Sequence, residues 1–114
     1  MADDCIFCKI RDGDIPGDFV HRDDDVMVIR DIAPKAPTHL LIIPNEHVVL
    51  GATVTPDHDA RLGSMFRVAE RVAELEGVAE SGYRLAVNQG DDGGQVVDHL
   101  HMHLLGGRPL REMR

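Results

Sequence analysis

Apolar residues recur at helical spacing in two parts of the chain and predict one short and one long helix. The first covers residues 4–11, with Asp4 as its N-cap and Gly13 as its end. In the second, Thr55 caps a helix that starts with a proline and ends before Gly77. The predicted buried face of this long helix consists of Leu62, Met65, Phe66, Ala69, Val72 and Ala73.

Five shorter apolar stretches predict β-strands. Residues 19–22 and 26–31 flank an acidic run, which predicts a hairpin with a solvated turn. Residues 39–43 form a largely apolar run before a proline, so we expect a strand buried on both faces at the centre of the sheet. Residues 83–89 and 96–105 predict two strands on either side of a glycine-rich turn. Five strands and two helices predict an α+β domain with a five-stranded, mostly antiparallel sheet.

Length, composition and charge limit the classes of function. A chain of 114 residues that is 43% hydrophobic and 28% charged is typical of one globular domain, and we expect that domain to span residues 1–114. No apolar run approaches the roughly 18 residues of a membrane helix, and the first residues lack a secretory signal, so we expect a cytoplasmic protein without a membrane span. A net charge of −8 disfavours binding to a nucleic acid polymer but allows a single nucleotide.

Three histidines, His99, His101 and His103, alternate with apolar residues near the end of the chain. Because successive side chains of a strand point to opposite faces, we expect the three rings in a row at roughly 6.5 Å intervals. A neutral imidazole can attack phosphorus, and a protonated neighbour can bind phosphate oxygens or protonate a leaving group. Gly93 and Gly94 precede this stretch; they can hold a phosphate with backbone amides or merely connect two strands. The pattern therefore predicts chemistry on a phosphate.

The alternating histidines and other motifs over nearly the whole chain resemble the histidine triad (HIT) family, most closely its Hint branch of purine nucleoside phosphoramidases. These motifs are Ile6-Phe7, Asp31-Ile32-Ala33-Pro34, Ala36-Pro37-Thr38-His39, Ile43-Pro44, His47, Asn88, Gly93-Gly94-Gln95, His99 to Leu105 and Gly106-Gly107-Arg108. The resemblance implies a HIT-like fold and a homodimer whose two sheets join. It also implies nucleotidyl transfer from purine nucleoside 5′-phosphoramidates, through a nucleotidyl-histidine intermediate that water converts to the nucleoside monophosphate.

The resemblance further assigns roles to single residues. His101 is the nucleophile, and His103 contacts the α-phosphate and assists the leaving group. The Asp31 carboxylate accepts hydrogen bonds from the ribose hydroxyls. The phosphate contacts fall to Asn88, Gly94 and the backbone amide of Val96, and the base pocket to Ile6, Phe7, Ile10, Ile29 and Ile32. Ordinary core packing explains Ile10 and Ile29 equally well.

Cys5 and Cys8 are one helical turn apart, a spacing that suits two thiolates on one zinc ion. Metal-binding relatives match them together with His47 and His99, which implies a closed, structural Cys2His2 site. The alternatives are a reduced pair of small core residues or a redox-active dithiol. In relatives without the cysteines, the histidine matching His47 belongs to the network beside the nucleophile, so His47 fits either role. No organic cofactor is expected.

Two other functions stay open at this point: a dinucleoside polyphosphate hydrolase with the same chemistry, and a nucleotide-binding module without catalysis. Val96 stands where Hint proteins usually place a serine, so we expect one polar contact fewer and slower turnover. The remaining histidines, His21, His39 and His58, belong to no chemical motif and are interpreted as surface or structural residues.

Overall fold

The computed structural model describes residues 4–111. Its two α-helices are α1 (Ile6–Asp12) and α2 (Asp59–Leu75), and a 3-10 turn over Pro56–His58, capped by Thr55, leads into α2. The strands are β1 (Phe19–Arg22), β2 (Val26–Arg30), β3 (Thr38–Pro44), β4 (Tyr83–Ala86) and β5 (Met102–Gly106). The predicted α+β class, with one short helix, one long helix and five strands, is confirmed.

The five strands form one antiparallel sheet in the order β1-β2-β3-β5-β4. The predicted central strand is confirmed, because β3 lies in the middle and all seven of its residues are buried. β5 lies between β3 and β4, and its register places His103 opposite Leu41 and Leu105 opposite His39. Directly opposed residues share a face, so these four side chains lie together on one side of the sheet.

The sheet separates two apolar cores. On one face, Leu100, Met102 and Leu104 pack in the core that includes the buried residues of α2. On the other face, Phe7 from α1 contacts the rings of His99 and His101. The predicted alternation is therefore confirmed: the apolar residues enter the core under α2, and the histidines face α1.

The N-cap prediction for α1 is wrong. The helix begins at Ile6, and its N-cap is Cys5, whose Sγ accepts a hydrogen bond from the Cys8 N–H at 3.5 Å. Asp4 lies before the cap, because the contact between Cys5 Sγ and His99 Nδ1, at 3.2 Å, fixes the point where the chain enters the helix. Gly13 ends α1 in a left-handed conformation (φ 86°), as predicted.

The last predicted strand is too long at its start, because residues 96–101 lie outside β5. Continuing the β3–β5 register would place Leu100 opposite Pro44, which has no N–H for the ladder. The Pro44 carbonyl instead accepts from His99 Nε2 at 2.9 Å, and the Leu100 N–H donates to the Val48 carbonyl at 2.8 Å. The predicted strand over residues 83–89 is also too long, because β4 ends at Ala86 and residues 87–89 lie outside it.

The buried face of the long helix differs from the prediction at three positions: Val68 belongs to it, Leu62 is only partly buried and Phe66 is exposed. The buried face of α2 consists of Met65, Val68, Ala69, Val72 and Ala73. Phe66 is 56% exposed, because it follows Met65 by one position and lies about 100° further around the helix. No helix in residues 4–111 is long and apolar enough to cross a membrane.

Candidate active site and metal cluster

A cavity of about 540 Å³ lies between α1 and the face of the sheet that carries the histidines. This volume is within the usual range for small-molecule sites, about 300 to 1,000 Å³. The residues that line it are Ile6, Phe7, Asp31, Ile32, Lys35, His39, Leu41, Arg84, Ala86, Asn88, Gly94, Val96, Val97, His101, His103 and Leu105. Strands β3, β4 and β5 form its floor, and α1 and the loops around Ile32 and Gly94 form its walls.

Nine of the eleven residues predicted to contact the nucleotide line this cavity: Ile6, Phe7, Asp31, Ile32, Asn88, Gly94, Val96, His101 and His103. The structure does not bring the other two to it. Ile10 and Ile29 are 7% and 5% exposed and pack in the core beneath α1. Their position agrees with the alternative explanation, ordinary core packing.

The ring of His101 is oriented by a main-chain acceptor. Its Nδ1 lies 2.7 Å from the His99 carbonyl oxygen, and a carbonyl can only accept, so Nδ1 carries the proton. In the neutral ring, Nε2 then has a free electron pair. The edge of the Phe7 ring packs against His101 with the ring centroids 5.0 Å apart, which limits rotation of the imidazole. Nε2 of His101 therefore offers the free electron pair that an imidazole nucleophile needs.

His103 has the opposite tautomer, which follows from His39. The Lys35 N–H donates to His39 Nδ1 at 3.1 Å, so the proton of His39 is on Nε2. His39 Nε2 lies 3.0 Å from His103 Nδ1 and donates to it, which leaves the proton of His103 on Nε2. Burial lowers the pKa of His39, and burial together with His101 and His39 lowers the pKa of His103 to about 4.

The cavity therefore combines an imidazole with a bare Nε2 and an imidazole with a protonated Nε2, with ring centroids 5.1 Å apart. His39 was predicted to be a surface or structural residue, yet it is 4% exposed and determines the tautomer of His103. A lone histidine at the start of an apolar strand carries no motif. Only the β3–β5 register shows that it adjoins His103.

The glycine turn before the histidines has a close backbone contact. A Cβ atom on Gly93 would lie 2.3 Å from the Gln89 carbonyl oxygen, so this position admits only glycine. The Gly94 N–H donates to the Asp91 carbonyl at 3.0 Å inside the turn. Within residues 4–111, the Val96 N–H and the Asn88 side chain make no hydrogen bond. Both groups can therefore donate to an anion at this end of the cavity.

The predicted metal ligands Cys5, Cys8, His47 and His99 form one cluster in which the four donor atoms lie within 4.8 Å of one another. Cys5 Sγ is 3.2 Å from His99 Nδ1, and Cys8 Sγ is 3.3 Å from His47 Nδ1 and 3.7 Å from His99 Nδ1. In a tetrahedral zinc site the distance between a sulfur and a nitrogen ligand is roughly 3.6 Å. The donor set and its spacing therefore fit one tetrahedral cation.

The tautomers distinguish this cluster from a second group, Asp31, His39 and His103, whose donor atoms also lie together. His99 Nε2 donates to the Pro44 carbonyl, so its Nδ1 directs a free electron pair at the thiols, as a metal ligand requires. Burial lowers the pKa of His99 to about 4, which keeps that ring neutral. In the second group the Lys35 N–H occupies Nδ1 of His39 and keeps the proton on the nitrogen that faces the other donors. The first cluster suits a metal ion, and the second suits proton-bearing rings.

Comparison with known proteins agrees with this geometry. The HIT domain model matches residues 12–110. The chain is 53% identical over 113 residues to the purine nucleoside phosphoramidase of Escherichia coli K12, covering 99% of this chain and 95% of that protein. A HIT family hydrolase of known structure from Legionella pneumophila is 46% identical with a TM-score of 0.89, and the match covers 93% of this chain and 95% of that one. A HIT family hydrolase from Clostridium thermocellum is 41% identical with a TM-score of 0.93, and the match covers 97% of this chain and 96% of that one. The chain belongs to the HIT domain family, as its alternating histidines indicated.

Proposed function

We propose that this HIT hydrolase cleaves the P–N bond of purine nucleoside 5′-phosphoramidates and releases a nucleoside monophosphate and an amine. The observation that carries the proposal is the pair of opposite tautomers, His101 with a bare Nε2 and His103 with a protonated Nε2, beside one cavity. The similarity to the E. coli purine nucleoside phosphoramidase supports the substrate class. The dinucleoside polyphosphate hydrolase is the alternative substrate class.

In the first step, Nε2 of His101 bonds to the α-phosphorus and the bond from phosphorus to the amine nitrogen breaks. The leaving nitrogen needs one proton. The negative charge of the bound phosphoryl group favours a second proton on His103, at Nδ1, while the Nε2–H of His39 turns to Asp31 Oδ2, 3.5 Å away. The doubly protonated His103 then passes its Nε2 proton to that nitrogen. In the second step, a water oxygen bonds to phosphorus, the bond to His101 breaks, and a proton of the water returns to His103. The products are the nucleoside monophosphate and the regenerated rings.

The other cavity residues supply groups that suit the rest of a nucleotide. The Val96 N–H and the Asn88 amide can donate to the phosphoryl oxygens. Asp31 Oδ1 accepts from the Ala33 N–H at 2.8 Å, which holds the carboxylate ready for ribose hydroxyls. Ile32 is 99% exposed and Ile6 is 41% exposed, and such open apolar side chains gain by covering the face of a base.

The test is a comparison of wild type with His101→Ala on an adenosine 5′-phosphoramidate. We expect turnover to fall by several orders of magnitude, because no other group replaces the nucleophile. Affinity for the product nucleotide should change little. A nucleotide-binding module without catalysis would show no turnover in the wild type either.

A second assay separates the two substrate classes. The wild-type protein is incubated with the phosphoramidate and, in parallel, with a diadenosine polyphosphate at the same concentration. We expect a higher kcat/KM for the phosphoramidate, and a clear preference for the polyphosphate would favour the alternative. Mass spectrometry of rapidly quenched wild type should detect a nucleotidyl adduct that is absent from His101→Ala.

We further propose that Cys5, Cys8, His47 and His99 bind one structural zinc ion. Their spacing and the free electron pair of His99 Nδ1 support this. A reducing cytoplasm, where we expect the protein, keeps both thiols available. Protein purified without added zinc should contain about one equivalent, Cys8→Ser should lose it, and the surface variant His21→Asn should keep it. Less than about half an equivalent in the wild type would contradict the site.

We also propose a homodimer in which the sheets of two copies join. β4 is an edge of the sheet that residues 4–111 form, where it pairs with β5, and edge strands are the part of a sheet that can pair with another chain. Val87, directly after this strand, and Phe66 on α2 are exposed apolar side chains that a second copy would cover. Light scattering should give about twice the chain mass of 12.6 kDa. A monomer at micromolar concentration would contradict the dimer.

A further inference from the structure

The stretch that carries the nucleophile lies outside the ladder of the sheet. β5 begins at Met102, so His99 to His101 precede it. The main-chain hydrogen bond that holds this stretch is donated by the Leu100 N–H to the Val48 carbonyl, at 2.8 Å. The position of the His99 carbonyl therefore depends largely on what holds the His99 side chain.

His99 is held from both of its ring nitrogens. Its side chain is fully buried, Nε2 donates to the Pro44 carbonyl at 2.9 Å, and Nδ1 faces Cys5 Sγ at 3.2 Å. The carbonyl of the same residue accepts from Nδ1 of His101 at 2.7 Å. One residue thus contributes its ring to the metal cluster and its carbonyl to the nucleophile.

Phe7 makes a second connection between the cluster and His101. It lies on α1 between Cys5 and Cys8, so the two thiols hold the helix on either side of it. Its ring packs edge-on against His99 (centroids 5.7 Å apart, planes at 78°) and against His101 (5.0 Å, 71°). Fixing both thiols therefore also fixes the ring that supports the nucleophile.

From these contacts we infer that metal binding at the Cys5, Cys8, His47 and His99 cluster positions the nucleophile His101, through the His99 carbonyl and the Phe7 ring. The inference rests on the proposed zinc site and on the proposed hydrolase. It makes His99 and Phe7 positioning residues, because both act through His101. It also gives the metal a role in catalysis although the metal contacts no substrate.

The same geometry predicts that His103 does not depend on the metal. His103 lies within β5, opposite Leu41 of β3 and Ala86 of β4, so ladders on both sides hold its backbone. Its tautomer is determined by His39, which no contact joins to the cysteines within residues 4–111. His103 therefore serves as an internal reference in the same protein.

The experiment observes the two tautomers directly. Protein labelled with ¹⁵N is prepared with Zn²⁺ and after removal of the metal by a chelator, and long-range ¹H–¹⁵N spectra of the imidazoles are recorded at one neutral pH. In the zinc form we expect His101 to carry its proton on Nδ1 alone. After removal we expect a mixture of tautomers at His101, while His103 keeps its proton on Nε2. Unchanged spectra of His101, or equal changes at both rings, would overturn the inference.

Binding and kinetics are measured on the same samples. Co²⁺ loading should give the absorption bands of a tetrahedral thiolate site, and their absence would overturn both the metal site and this inference. Metal removal should lower kcat on the order of 100-fold, as expected for a misplaced reacting group, and change KM little. Should the loaded protein not hydrolyse a phosphoramidate, the proposed activity fails, and the spectra still decide whether the metal positions His101.

A variant separates positioning from folding. Phe7→Leu keeps an apolar side chain in the core and both thiols in place, so the Co²⁺ spectrum should persist. We expect the tautomers of His101 to mix and kcat to fall on the order of 10-fold in this variant. Ile43→Val, a change in the same core, is the control and should alter neither. Full kcat in metal-loaded Phe7→Leu would exclude the ring as a positioning element.

Discussion

His39 Nε2 lies 3.0 Å from His103 Nδ1 and donates a hydrogen bond to it across the β3–β5 pair. This contact, together with the Lys35 N–H on the other nitrogen of His39, leaves the proton of His103 on the nitrogen that protonates the leaving group in the proposed mechanism. The proposed acid is thus prepared by a residue of the neighbouring strand.

Replacing His39 should impair catalysis, although His39 is not one of the groups proposed to contact the phosphate. We expect His39→Ala to lower kcat roughly 10- to 100-fold, because His103 loses the partner that determines its tautomer. His39→Gln, whose amide can still donate, should recover part of the activity. The control is His21→Ala, since His21 pairs with Asp23 on the surface at 2.6 Å. Equal kcat values for His39→Ala and His21→Ala would contradict this role.

Val96→Ser should raise turnover. Val96 lines the cavity and is 92% exposed, so a hydroxyl there can reach the phosphoryl or leaving group without disturbing the core. One added hydrogen bond corresponds to a gain in kcat of roughly 2- to 10-fold. Steady-state kinetics on the phosphoramidate measure the gain, and Val96→Ala controls for the loss of the methyl groups. A similar gain in Val96→Ala would show that the hydroxyl is not responsible.

Gly93→Ala should destabilise the turn that precedes the histidines. The added Cβ would meet the Gln89 carbonyl oxygen at 2.3 Å, so the backbone must shift, at a cost of about 1 to 3 kcal/mol in the free energy of unfolding. We expect weaker nucleotide binding as well, since Asn88 and Val96 flank this turn. Gly63→Ala is the control: it lies on α2 with open space around its Cβ and should stabilise the protein by up to about 1 kcal/mol. Urea unfolding compares the two, and equal stability would refute the steric argument.

Stability should fall in mild acid, in part through His103. Its pKa is about 4 in the folded protein because of burial, His101 and His39, and about 6.5 in the unfolded chain. Between these pH values the unfolded chain binds a proton that the folded protein does not, so the free energy of unfolding decreases as the pH falls.

The variant His103→Asn removes this contribution. From pH 7 to pH 4.5 it should lose less stability than the wild type, by on the order of 1 kcal/mol, because the ring is only partly buried. Urea titrations at both pH values give the comparison. Equal losses in the two proteins would show that the folded state does not lower the pKa of His103.

Much of the site could be predicted from sequence because its signal is local. The period of two in Leu100, Met102 and Leu104 predicted that these side chains enter the core and that the histidines share the opposite face, and both hold in the structure. Of the three histidines, His101 and His103 line the cavity. The cluster of Cys5 and Cys8 with two distant histidines could be predicted only from the resemblance to relatives. A pair of cysteines does not by itself indicate which other residues complete a metal site.

The errors have a common origin in contacts between distant parts of the chain. The start of β5 depends on Pro44, which lies more than fifty positions earlier, and the cap of α1 depends on the contact between Cys5 and His99. His39 was overlooked for the same reason. Local periodicity indicates which face of a helix or strand a side chain lies on. Strand register and tertiary hydrogen bonds determine where the helices and strands begin and which side chains come into contact.

Strand β3 supplies one hydrogen bond to each of two histidines of the triad. His39 near its start donates to His103, and the Pro44 carbonyl at its end accepts from His99. A strand that is buried throughout and paired on both sides exchanges its amide hydrogens only through global opening. Heat should therefore abolish turnover and melt the sheet in one transition, with no warm, folded and inactive form between them.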